Sequence, residues 1–184
     1  MTGPLEAIAA TLDAEGGLVA AAVGPPPVGT PTPHGDVAAA GPGRAPEYAQ
    51  IVEAVREGHL THAAEWTDNP VRPQPRIVTT DDPDLALLVG DRLYALGLAR
   101  LAELGDLDAV AVLADTIVLG AQAHATGAED LAEAAWAAGA QAVAQGPREA
   151  WTQARDSARA GDPSGASALR DAARQLARTG ANAP

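Results

Sequence analysis

The chain has no cysteine, no lysine and no phenylalanine. Without cysteine there is no disulfide, no thiolate nucleophile and no Cys-based zinc site. Without lysine, every basic side chain is an arginine. Aromatic residues make up only 3% of the chain, so a core must rely on close approach of helices rather than on large side chains. Cationic excess is lacking too: the net charge is −12, which repels phosphate backbones and anionic lipid and argues against nucleic acid as a partner. No apolar run reaches the length of a bilayer-spanning helix, so no integral membrane segment is expected. The N-terminus has no basic region ahead of an apolar stretch, so a secretory signal is not expected and the cytoplasm is the default address. There is no glycine-rich phosphate loop, no nucleophile elbow and no Ser-His-Asp set at readable spacing. Two-residue alternation is missing, so no sheet is expected, and no fixed-period repeat is found.

What is present is alanine-rich helical periodicity. The 184 residues suit one domain with a useful core. An N-terminal helical segment is expected in residues 1–23, with Leu5, Ile8, Ala9 and Leu12 on one face of a helix over 3–14. Residues 24–46 hold seven prolines and five glycines and read as a linker or ordered loop that cannot sustain helical hydrogen bonding. The main helical domain is expected over 47–180. Its first helix spans 47–65, with Tyr48, Ile51, Val52, Val55, Leu60 and Ala63 at helical steps. Asp82-Pro83 then signals a helix over 83–104. Its leucines mark two faces, which predicts a central position. Gly105 and Asp106 end it and start another over 107–125, and so short a turn requires an antiparallel pair. Further helices are predicted over 128–144 and 148–160, and from Asp162-Pro163 onward. The fold class is all-α, an antiparallel helical bundle.

Several residues invite chemical readings. His59, His62 and Glu65 fall at three-residue steps, as metal ligands can, but the partner helices of a di-metal carboxylate site are missing. Asp81, Asp82 and Asp84 could face Mg²⁺, although helix capping suits them better. Arg72 and Arg76 flank prolines in a loop and could meet a phosphate or stay solvated. His34 and His124 have no partner visible in the sequence. Trp66, Trp136 and Trp151 read as packing anchors or interface residues.

The stretch from Leu85 to Ile117, LALLVGDRLYALGLARLAELGDLDAVAVLADTI, resembles the trans-type isoprenyl (polyprenyl) diphosphate synthases. The match lies in Gly90-Asp91, the following run with Tyr94, and a trace of a Gly-Gln pair in Gly120-Ala121-Gln122. Upstream, His62 and Ala64 match the family's His-x-Ala pattern. Asp68-Asn69-Pro70 stands where the first Asp-rich motif belongs, and Arg72 and Arg76 are what remains of its arginine clamp. The second Asp-rich motif is absent. The resemblance implies part of the isoprenoid synthase fold, with His62, Asp68, Arg72, Arg76, Asp91, Tyr94 and Gln122 as remnant-motif or pocket positions. In the family, Mg²⁺ ions bridge two carboxylate clusters and the diphosphate leaving group. Losing the clusters leaves that charge uncompensated and raises the barrier far beyond what apolar walls restore. The resemblance therefore implies no catalysis by this chain alone and no cofactor, with Mg²⁺ entering only if a partner supplies ligands. It points to a small or regulatory subunit in isoprenoid biosynthesis, paired with a catalytic polyprenyl synthase subunit or with itself. The alternative is a stand-alone helical binding or scaffold protein that holds an isoprenoid or another hydrophobic ligand.

Overall fold

A computed structural model describes residues 2–64 and 74–181. Among them are nine helices: α1 (Pro4–Glu15), α2 (Gly17–Ala21), α3 (Pro33–Ala39), α4 (Glu47–Ala63), α5 (Pro83–Leu104), α6 (Leu107–Thr126), α7 (Glu129–Gln145), α8 (Glu149–Arg159) and α9 (Gly165–Ala181). No strand occurs among the described residues; a single antiparallel bridge joins Val23 to Val78. Glu65, Trp66, Asp68 and Arg72 lie outside the described residues.

Punctuation in the sequence sets the helix ends. Asp82 caps α5, its carboxylate accepting from the amides of Asp84 at 3.0 Å and Leu85 at 3.2 Å. Within the Asp81–Asp84 group, Asp82 is therefore the cap. Gly105 ends α5 at φ 68°, and Asp106 caps α6 by accepting from Ala109 N at 2.9 Å. That left-handed turn suits glycine, which has no Cβ to oppose it.

Two expectations are corrected. The stretch 24–46 is more than a linker. Pro33 occupies the first turn of α3, where a missing N–H is harmless, so proline starts this helix rather than breaking it. His34, Gly35 and Ala38 are buried, and α3 packs on α4 and α7. The segment before it is packed against the same body: Leu5, Ile8 and Leu12 of α1 share a core with Ala54 of α4 and with Val89 and Leu93 of α5. The second correction concerns the central helix. Leu87 and Leu88 of α5 are exposed, and α5 rests mainly on α4 while α6 rests on α7. The centre is α4, with 13 of its 17 residues buried and with α1, α3, α5 and α6 around it. Trp136 and Trp151 anchor a larger core where α4, α6, α7, α8 and α9 meet.

α6 is apolar and long enough, by length and composition alone, to cross a membrane. Its polar edge argues for a place within the folded chain. Asp115 takes two guanidinium groups of α8, Arg155 and Arg159, each at 2.8 Å, an arrangement that hydrocarbon would penalise.

Candidate functional site

The polar residues that carry the inner structure lie along α4. Glu53 and Glu57, four residues apart on one face, are completely buried. Uncompensated, each would cost several kcal/mol. Glu53 accepts the amide of Gly35 at 2.7 Å. Glu57 accepts the amides of Arg76 and Ile77, the latter at 2.7 Å, and the Arg76 Nε–H at 2.8 Å. Arg76 Nη1 stands 2.8 Å from Glu53 Oε2, an ion pair in distance but not aligned as a hydrogen bond. Burial alone would lower the Arg76 pKa, but the charges of Glu57 and Glu53 outweigh it and hold the guanidinium above its ordinary value. Arg76 is thus neither a solvated loop charge nor open to a phosphate. It is the clasp that fastens the segment entering α5 onto α4.

A second cluster adjoins it. Arg56 reaches Glu133 of α7 at 2.9 Å and lies 5.5 Å from the ring of Trp136. His59 packs on the same indole at 5.4 Å, and His34 meets it edge-on at 6.3 Å. Both imidazoles are depressed to about 4. For His34 the causes are burial, then the Arg56 and Arg76 charges; for His59 they are burial, then Arg56, His124 and His62. Both are therefore neutral at pH 7. The void among Arg56, His59, His124, Glu133 and Trp136 measures about 20 Å³, the room of a single water. Acid–base groups abound here, packed with room for no more than a water between them, and Glu133 stands open to solvent at the edge.

The remnant-motif residues gather only in part. Gly58 and Gly90 bring α4 and α5 together; a Cβ on Gly58 would stand 2.9 Å from Gly90 O. Beside this crossing His62 stacks on Tyr94, ring centroids 5.3 Å apart and planes 11° from parallel. His62 Nε2 lies 3.1 Å from Asp91 Oδ1. Burial and the Asp91 charge push the Tyr94 phenol well above its usual range. Gln122 is elsewhere, donating to Ala158 O at 3.2 Å and so tying α6 to α8. Asp68 and Arg72 fall outside the described residues. Among the described residues, no three His, Asp or Glu side chains are grouped to hold a metal ion. Ala95 and Ala99 face solvent on α5. Gly97 serves packing: a Cβ there would meet Val55 Cγ2 at 2.5 Å.

Two surface features remain. A groove of about 300 Å³ runs between α1 and α5 with α4 beneath. Ile8, Ile51, Ala54 and Gly97 are its buried floor, and Thr11, Glu47, Arg100, Glu103 and Leu104 stand along its exposed rim. The other feature is a stripe on α6. Leu107, Ala111, Ala114, Val118, Ala121 and Ala125 are all exposed. Their alternating steps of four and three place them in one line along the helix. Leu107 is 74% and Val118 45% exposed.

The sequence signals for the buried clasp were weak. Glu53 and Glu57 precede Arg76 by 23 and 19 residues, and nothing local marks them as inward-facing. Their i, i+4 spacing on a helix that also carries Ile51, Val52 and Val55 was the one available sign. Comparison of the chain with known protein families, with curated proteins and with solved structures finds no match.

Proposed function

We propose that the chain is a non-catalytic helical subunit, resembling part of the isoprenoid synthase fold, that docks through the outer face of α6 onto a catalytic polyprenyl diphosphate synthase. The observation that carries this reading is the α6 stripe. Six apolar residues in heptad-like register face water, and four are alanines that let another helix approach closely. An aligned apolar face of this kind marks a protein contact more readily than scattered exposed leucines do. Leu87 and Leu88 add exposed apolar surface on α5. Chemistry supports the non-catalytic half of the reading. The sequence lacks the paired Asp-rich motifs that would neutralise a departing diphosphate. Asp91, of the Gly90-Asp91 pair, stands against His62.

The test is co-expression with the polyprenyl diphosphate synthase of the same genome, followed by size-exclusion chromatography with light scattering and analysis of product chain length. A mixed complex is expected, with Val118→Glu and Leu107→Glu each breaking it while the variant chains stay helical. Self-association through the same stripe would appear as a dimer that the same substitutions dissociate. Separate elution of the two chains with unchanged product length rules the subunit reading out.

A further inference from the structure

The groove between α1 and α5 lies apart from the α6 stripe and does not depend on the subunit reading. Its volume is about 300 Å³. A cavity of about 150 Å³ accommodates benzene, so this one has room for about a dozen non-hydrogen atoms. The floor is apolar and well packed: Ile8, Ile51 and Ala54 are each at most 3% exposed. It is preformed, since α1 and α5 are fastened at its sides by core contacts through α4 and by the Arg92–Glu15 ion pair.

The rim decides the ligand's charge. Arg100 Nη1 is 2.9 Å from Glu103 Oε2, so its positive charge is already answered. Glu47 then leaves the mouth with net negative charge, on a chain that carries −12 overall. Such a mouth repels phosphate and carboxylate heads and attracts a cation. We propose that the α1–α4–α5 groove binds a small amphiphile with one positive charge, its apolar tail lying along Leu96 and Leu104 of the groove wall and its head at Glu47. Its charge sets this ligand apart from any prenyl diphosphate.

The full chain is titrated with decyltrimethylammonium and, separately, with decyl phosphate, each below its micelle concentration, and amide shifts are followed by ¹H–¹⁵N NMR. The expected result is saturable binding of the cation, with shifts centred on Thr11, Ile51, Ala54 and Gly97. Decyl phosphate should bind at least about tenfold more weakly, equivalent to about 1.4 kcal/mol. Thr11→Trp fills the groove from an exposed position and leaves net charge unchanged; it should weaken cation binding about tenfold or more. Leu104→Trp is the matching plug from α5 and serves if the first variant does not fold. Glu47→Gln should narrow the gap between the two probes. Equal binding of cation and anion, scattered shifts that never saturate, or indifference to a folded plug variant would each overturn the proposal. The last outcome would mean that the acidic surface collects cations without using this groove.

Discussion

At the scale of single residues, the largest energies sit where charge is buried. Glu57 holds two backbone amides and one guanidinium edge while completely shielded from solvent. Replacing it removes one partner and leaves the largely shielded Arg76 with its charge partly unanswered, which costs about 3–5 kcal/mol. Glu57→Gln should therefore lower the urea midpoint sharply. Arg100→Ala, which removes an exposed i, i+3 pair with Glu103, should change stability by less than about 0.5 kcal/mol. Equal effects from the two variants in denaturant titrations would show that the buried carboxylates are not the clasp described here. Arg76 itself read as a loop charge in the sequence, because its partners arrive from a separate helix well upstream. Spacing rules register neighbours within an element and cannot see a pair that only tertiary packing creates.

The helices show the same division between what was legible and what was not. Asp82-Pro83 and Gly105-Asp106 placed both ends of α5 and the start of α6 to within a residue, because caps and left-handed turns are local chemistry. Asp82→Ala should accordingly destabilise the chain by about 1 kcal/mol, as loss of a cap does; thermal unfolding of the variant checks this. The rank of the helices was not legible. α5 looked central because leucines ring it, yet its outer face is open. α4 is central although it carries Glu53, Arg56, Glu57 and His59 inward; pairing made those residues compatible with burial, and pairing leaves no periodic signal. α3 was hidden by the prolines of the stretch around it, one of which starts it. Among the site positions, His62, Asp91 and Tyr94 meet where α4 crosses α5, whereas the groove needed α1 in place to exist. The α4–α5 contact gives a further prediction. Alanine at Gly97 gains about 1 kcal/mol in helix propensity, but its Cβ would press on Val55 Cγ2 at 2.5 Å and on Ile51 O at 3.0 Å. Overpacking of that kind costs about 1–3 kcal/mol. Gly97→Ala should thus show a net loss in thermal stability rather than the gain expected at an open helical glycine.

Across the whole molecule, two effects of acidification oppose each other, and their magnitudes decide the outcome. Lowering the pH toward the isoelectric point near 4.5 reduces the repulsion within a chain of charge −12, which favours the compact state through many weak, salt-screened terms. Against this stand two buried imidazoles. His34 and His59 titrate at about 4 in the folded chain, from an ordinary value of 6.5. Between those values the unfolded chain takes up protons that the folded chain refuses. Their contribution to stability is therefore complete above pH 6.5 and is lost as the pH falls toward 4. A shift of this size corresponds to about 3 kcal/mol per group, a large share of the total for a domain of this length. The histidines should win. Urea titrations at constant ionic strength should show stability falling steadily from pH 7 to pH 4.5, and the double variant His34→Gln/His59→Gln should flatten that slope even though it starts from lower stability. A wild-type chain that becomes more stable over the same range would mean that relief of self-repulsion governs and that the two imidazoles accept protons in place.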